Sequence, residues 1–311
     1  MSKILRIGTR DSQLAVWQAT LVQQQLLQLG VQSELVYIKS EGDIDLVTPL
    51  YAIGVQGVFT RTLDAALLGN KIDIAVHSMK DVPTQLAQGI QQAAVLQRAS
   101  YKDLLVFKGD TSFLNDAQST AVIATSSIRR KAQWLSRYPN HTIENLRGNV
   151  NTRLQKVAQN PWNGAIFAAA GLERIAVRPA ESIELDWMLP APAQGAIMVV
   201  CRENDTAAAA ACAPLHHPAT AICTRIERDF LKTLMGGCST PISALAQIQN
   251  DTLYFEGNIF SLDGKQKAET KKSVPYTPEN PQLTTLGTDA AREVLAAGGK
   301  TIAEAIRNAT V

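Results

Sequence analysis

Apolar positions in the first half of the chain switch repeatedly between a two-residue and a 3.6-residue period. Residues 4–9, ILRIGT, read as a strand. Asp11 or Ser12 is placed to cap a helix in which Leu14, Trp17, Leu21, Val22, Leu26 and Leu29 recur at helical spacing until Gly30. ELVYIKS (34–40) is a strand again, FTRTLDAALLGN (59–70) a helix closed by Gly-Asn, and IDIAVHS (72–78) a short apolar strand running directly into MKDVP. A β-α-β-α-β order buries its apolar faces when helices flank a mostly parallel sheet.

After a polar patch at 108–119 the rhythm restarts. TAVIATSS (120–127) is a strand and turn, IRRKAQWLSRY (128–138) a helix, TIENLRGN (142–149) a strand and turn, and VNTRLQKVAQN (150–160) a helix. GAIFAAAGLERI (164–175) is a further strand-to-helix unit and GAIMVVCR (195–202) one more buried strand. From 218 the character changes: a long helix over 218–237 ends in glycines, 243–274 carries the Asn-Asp and Asp-Gly turn signals of an antiparallel meander, and 284–299 is another helix. The sequence thus predicts an α/β protein: two similar lobes with mixed, mostly parallel sheets, and a small C-terminal α+β domain.

Composition adds limits. With 311 residues, 46% hydrophobic and 19% charged, the chain is globular and large enough for two or three domains. A formal charge of +2 makes any basic site local, and the aromatics are not interleaved with basic residues, so no nucleic-acid partner is expected. The opening MSKILRIGTRDS lacks the apolar core of a signal peptide, and no run approaches the ~18 apolar residues of a membrane span. A soluble, cytoplasmic protein without a membrane partner is the expectation. Cys201, Cys212, Cys223 and Cys238 form no CxxC pair, which argues against a zinc site or a disulfide framework.

Ligands of open parallel sheets gather at the carboxyl ends of strands. There the sequence places Arg10 and Ser12, then Lys80 and Asp81, then Thr125, Ser126, Ser127, Arg129 and Arg130, then Arg147 and Arg153, then Arg174. One such arginine means little; their recurrence at equivalent ends describes an anion-binding cleft, and the guanidinium fork suits carboxylates. No P-loop is present. Asp81, alone among these cations, either pairs with Lys80 or an arginine, or acts on a developing cation or a proton. His77 reads as a core residue, His141 as a loop residue, and His216-His217 as helix-start residues. Cys238, in LMGGCSTPIS, is either an inconsequential turn residue or a nucleophile or attachment point activated by nearby cations.

Taken in order, RIGTRDSQLAVWQA (6–19), DIAVHSMKDVP (73–83), ATSSIRR (124–130), LRGNVNTRL (146–154), AAAGLER (168–174), PAQGA (192–196) and GGCSTPI (236–242) resemble the porphobilinogen deaminase (hydroxymethylbilane synthase) family over nearly the whole length. The resemblance implies two lobes like those of periplasmic binding proteins. It implies domains of 1–97 with 195–215, of 98–194 and of 216–311, the last carrying the cysteine loop. It implies a dipyrromethane cofactor held by thioether on Cys238, onto which four porphobilinogen units are deaminated and joined before hydrolysis releases hydroxymethylbilane. Asp81 would stabilise the cation left by loss of ammonia. Arg10, Ser12, Lys80, Thr125, Ser126, Ser127, Arg129, Arg130, Arg147, Arg153, Arg174 and Gln194 would bind or line the site for the carboxylates of cofactor and substrate. A monomer is implied, and no metal is required.

Glu41, Gln56, Thr62 and Pro192-Ala193 depart from the family pattern and bear on loop closure and the interdomain hinge, not on the reaction type. Two other readings fit the residues alone: a two-lobed binding protein for a polycarboxylate with no chemistry, and a thiol enzyme whose Cys238 turns over in each cycle.

Overall fold

The computed structural model describes residues 4–39, 60–116, 118–234, 240–277 and 279–309. Cys238, Glu41 and Gln56 lie outside them. In the first lobe, strands β1 (Leu5–Thr9), β2 (Ser33–Tyr37), β3 (Ile74–Ser78) and β4 (Ile90–Val95) are joined late in the chain by β10 (Ile197–Arg202), in the order β2-β1-β3-β10-β4. Among the described strands of this sheet, β10 alone runs against its neighbours, pairing antiparallel with both β3 and β4. Helix α1 (Gln13–Gln28) buries Ala19, Val22 and Leu26, one stripe at helical spacing. Helix α2 (Arg61–Leu68) buries Leu63, Ala66 and Leu67 on the same principle. Separate apolar cores form on the two faces of the sheet, one around Ile7, Val22, Leu26 and Val199, the other around Leu63, Leu67, Ile72 and Met198.

The second lobe repeats this plan. Strands β5 (Asp103–Phe107), β6 (Val122–Ala124), β7 (Thr142–Glu144), β8 (Gly164–Ala168) and β9 (Ser182–Glu184) stand in the order β7-β6-β8-β5-β9, and β5 is the reversed member. Helices α3 (Ile128–Arg137), α4 (Val150–Gln159) and α5 (Ala169–Arg174) follow β6, β7 and β8. Among the described residues each lobe therefore has one antiparallel strand, and that strand adjoins a segment in which the chain crosses between lobes. Local hydrophobic pattern does not reveal β4, β5 and β9: β4 (IQQAAV) carries two glutamines, and β5 joins its sheet through distant partners.

After α6 (Thr206–Cys212), helix α7 (Pro218–Thr233) begins the C-terminal domain. His217 caps it, Nδ1 accepting the Thr220 N–H at 3.2 Å. Strands β11 (Ile242–Gln249), β12 (Thr252–Phe260) and β13 (Lys267–Pro275) form the antiparallel meander, and α8 (Gln282–Val294) and α9 (Lys300–Ala309) complete the domain. Its core centres on fully buried Phe230 and Phe255, whose rings meet edge to face at 5.2 Å. Burying one such ring stabilises by about 1.5–3 kcal/mol. Gly257 makes the approach possible, because a Cβ there would sit 2.6 Å from the Phe230 ring.

The lobes are joined by residues 96–102 and 185–196. Ala99 N–H donates to Gly195 O at 3.1 Å, and Arg98 Nε to Gln194 O at 2.8 Å, so the two crossings are bonded to each other. Gly195 has φ +88, and a Cβ there would meet the Ser100 carbonyl at 2.6 Å. Only glycine fits this turn.

Candidate active site

The carboxyl ends of the strands in the two lobes face one another across the crossings. Arg10 and Ser12 follow β1, and Ser12 is the N-cap residue of α1, making no side-chain capping bond. β3 runs into a single 3-10 turn, Met79–Asp81, which presents Lys80 and Asp81. In the second lobe the residues after β6 build the start of α3. The Ser127 hydroxyl caps the helix by accepting Arg130 N–H at 3.4 Å, Thr125 Oγ1 accepts Ser127 N–H at 3.2 Å, and Ser126 donates to Asn145 Oδ1 at 2.7 Å. These three hydroxyls thus shape their own loop. Arg147 is buried after β7, and the Arg153 Nε–H donates to Gly148 O at 2.7 Å.

Arg129 and Arg130 are buried, and an internal carboxylate explains why. Asp103, the first residue of β5, has no exposed surface. Its Oδ2 accepts Arg129 Nη2 at 2.7 Å. Its Oδ1 accepts Arg130 Nη2 at 2.7 Å, Arg130 Nε at 3.1 Å and Gln194 Nε2 at 2.9 Å. Burial alone would raise this carboxyl; the two guanidiniums, with the Arg130 and Gln194 hydrogen bonds, hold it well below the usual carboxylate range. Gln194 also accepts Lys80 Nζ on its Oε1 at 3.3 Å and so links the first lobe's turn to the second lobe's ion pair.

The electrostatics show which groups are neighbours. Burial lowers the Lys80 ammonium to about 8, opposed by Asp81 and Asp103 and reinforced by Arg130 and Arg129. Burial lowers Arg153 to about 10, with repulsion from Arg130 and Arg147 adding and Asp81 opposing. Lys80, Asp81, Arg129, Arg130, Arg147 and Arg153 therefore lie within electrostatic reach of one another, and their summed charge is positive. Arg10 stands beside His77, whose imidazole is pushed down to about 4 by burial and by that guanidinium. His77 is buried as expected, although its Nε2 makes no hydrogen bond.

Arg174 follows β8 on α5 and also contacts the first lobe. Its Nη2 donates to Gly195 O at 2.7 Å and its guanidinium lies 5.8 Å from the centre of the Trp17 ring, which ties α5 to the first lobe. His141 belongs to a structural cluster: Nδ1 accepts from Trp134 Nε1 at 3.0 Å and the ring stacks on Tyr138. The Pro192-Ala193 departure has a visible consequence. Ala193 adopts φ 61, where glycine is unstrained, and its N–H donates to Glu227 Oε2 at 2.6 Å.

Sequence reasoning overlooked three groups that organise the cleft. Asp103 is one, and an acid opening an apolar strand was the available signal. Glu227 on α7 is fully buried and accepts Arg98 Nη1 at 2.6 Å and Ala246 N–H at 2.8 Å besides Ala193. Arg228, beside it, reaches the turn that bears Asp81.

These features define a class: a two-lobed α/β protein in which cations of both lobes gather near two carboxylates, Asp103, paired with Arg129 and Arg130, and Asp81, beside Lys80. The profile of the porphobilinogen deaminase dipyromethane cofactor binding domain matches residues 5–210, and that of the porphobilinogen deaminase C-terminal domain matches 221–296. The chain is 41% identical over 309 residues to the porphobilinogen deaminase of Syntrophotalea carbinolica, covering 98% of this chain and 96% of that one. It is 40% identical over 306 residues to the chloroplastic porphobilinogen deaminase of Pisum sativum, covering 95% and 82%. Among solved structures, a periplasmic substrate-binding protein of an ABC transporter from Coxiella burnetii aligns at 13% identity and TM-score 0.42, covering 70% of this chain and 94% of its own. The chain belongs to the porphobilinogen deaminase family, and dipyrromethane is its cofactor.

The residues present fit that group. Each pyrrole bears an acetate and a propionate, and the cleft offers guanidinium, ammonium and hydroxyl donors. A guanidinium has five N–H donors. Arg129 Nε is buried and bonded to no protein acceptor, so a donor remains for an outside carboxylate even with Asp103 in place.

Proposed function

We propose that this chain deaminates four porphobilinogen molecules and joins them head to tail on its bound dipyrromethane, releasing ammonia and hydroxymethylbilane. The observation that carries the reading is the hydrogen-bonded chain from Lys80 through Gln194 and Asp103 to Arg129 and Arg130, with Asp81 next to Lys80 and near Arg153, in a chain of this family. The dipyrromethane, when bound through Cys238, supplies the free pyrrole end that accepts each new unit. Arg10, Ser12, Lys80, Thr125, Ser126, Ser127, Arg129, Arg130, Arg147 and Arg153 hold carboxylates, each charge-assisted bond contributing about 1.5–3 kcal/mol. Arg174 binds carboxylate as well and Gln194 lines the cleft, while their bonds to Gly195 O and Asp103 help keep the crossings in register.

Asp81 holds a negative charge beside the cation that forms when porphobilinogen loses ammonia. The Lys80 ammonium at its side orients it and binds substrate carboxylate. A preorganised electrostatic group of this kind is worth about 100–1,000-fold in turnover. Asp81→Ala is therefore expected to keep its fold and its adduct and to lose turnover by that factor. Ordinary turnover in this variant removes Asp81 from the chemistry.

No helix among the described residues is long and apolar enough to cross a membrane. We infer a cytoplasmic monomer whose working units are 1–97 with 195–215, 98–194 and 216–311. The family supports this. A sedimentation mass of twice the chain would refute the monomer.

A further inference from the structure

The turn that presents Asp81 is held from the C-terminal domain. Arg228 lies on α7, and its guanidinium spreads over three carbonyls of this turn: Nη1 donates to Val82 O at 2.9 Å and to Met79 O at 3.3 Å, and Nη2 donates to Pro83 O at 2.6 Å. These partners lie 145 to 149 residues away in sequence. The turn enters from β3, where Met79 N–H donates to Ala196 O at 3.0 Å, and closes on itself through Val82 N–H to Met79 O at 3.2 Å. From Val82 to β4 the backbone is irregular. The Met79 and Val82 side chains are buried, at 2% and 6% exposure, and fix how deep the turn sits. Two anchors leave rotation about the line between them, and Asp81 lies between the two. The three carbonyl bonds to one planar fork remove that rotation. A guanidinium can span three acceptors in this way, whereas an ammonium is a point donor.

We propose that Arg228 is a positioning residue for the reaction: by fixing the carbonyls of Met79, Val82 and Pro83, it sets the direction in which Asp81 points into the cleft. The inference rests on the assignment of Asp81 under Proposed function. It makes the C-terminal domain part of the catalytic geometry of the first lobe. Displacing a reacting group by about 1 Å costs on the order of 100-fold in rate.

The test uses cofactor-loaded holoenzyme of Arg228→Gln, Arg228→Lys, Asp81→Asn and the double variant Asp81→Asn/Arg228→Gln, each normalised to folded, adduct-bearing protein by intact mass. Arg228→Gln is expected to lose about 100-fold in kcat while KM moves less than about threefold, because positioning is felt in the transition state. Arg228→Lys should recover only a minor part of that loss. In the Asp81→Asn background Arg228→Gln should cost almost nothing further, since both act through one group. A merely structural role predicts a lower melting temperature with wild-type kcat per folded molecule, or costs that multiply in the double variant; either result overturns the proposal. If Arg228→Gln does not fold, Arg228→Lys and its double variant with Asp81→Asn carry the same comparison. Wild-type kcat in Asp81→Asn overturns the assignment of Asp81 itself. Loss in Asp81→Asn with none in Arg228→Gln overturns the Arg228 proposal alone.

Discussion

Replacing Asp103 by Asn changes one atom and removes the charge on which two buried arginines depend. Four donors converge on this carboxylate, one on Oδ2 and three on Oδ1. An asparagine amide turned one way sets its NH2 against Arg129; turned the other way it faces Arg130 twice and Gln194 once. A donor meets a donor in both cases, and Arg129 and Arg130, at 5% and 6% exposure, lose their counter-charge. Breaking a buried ion pair from one side costs about 3–5 kcal/mol. At about 4–8 °C per kcal/mol for a lobe of about 100 residues, the melting temperature should fall by about 12–40 °C. The assay is thermal unfolding followed by circular dichroism at several pH values. Asp103 in the folded protein titrates well below its unfolded value near 3.9, so its stabilisation is present above that pH and is lost as pH falls toward the folded value. The gap between wild type and variant should therefore be constant from neutral pH down to about 5 and shrink below about 4. A variant melting within about 2 °C of wild type at neutral pH would refute the view that Asp103 offsets the buried guanidiniums.

Two further outcomes follow from the same geometry. Because burial lowers the Lys80 ammonium to about 8, kcat/KM should fall as pH rises through that value and the charge is lost. Lys80→Arg should move that limb upward, and an unmoved limb would assign it to another group. Glu227→Gln keeps one carbonyl oxygen for the acceptor role that two carboxylate oxygens fill toward Arg98, Ala193 and Ala246. Amide hydrogen exchange at 96–102 and 189–196 should accelerate while the lobe cores stay protected; equal exchange in both proteins would show that Glu227 does not hold the crossings.

Much of the fold was legible because amphipathic periods are local. The α1 stripe and the short apolar strands β1, β3 and β8 announce themselves within a few residues. The reversed strands were not legible as such, since the pairings of β10 with β3 and of β5 with β8 join residues far apart in the chain. The cleft cations could be read because they recur just past apolar strands. What holds them could not: Glu227 meets Arg98 across 129 residues, and Gln194 meets Asp103 across 91. Nor could the sequence separate arginines that share an internal carboxylate, such as Arg129 and Arg130, from one that ties the lobes together, such as Arg174.

If the cationic cleft works on a polyanion, that polyanion is tethered to this chain. Intact-mass measurement of freshly purified, active protein, followed by peptide mapping, tests it most directly. A permanent dipyrromethane adduct is expected on the peptide containing Cys238, with no adduct and no turnover in Cys238→Ser. Active protein with an unmodified Cys238, or an adduct mapping to Cys201, Cys212 or Cys223, would contradict it.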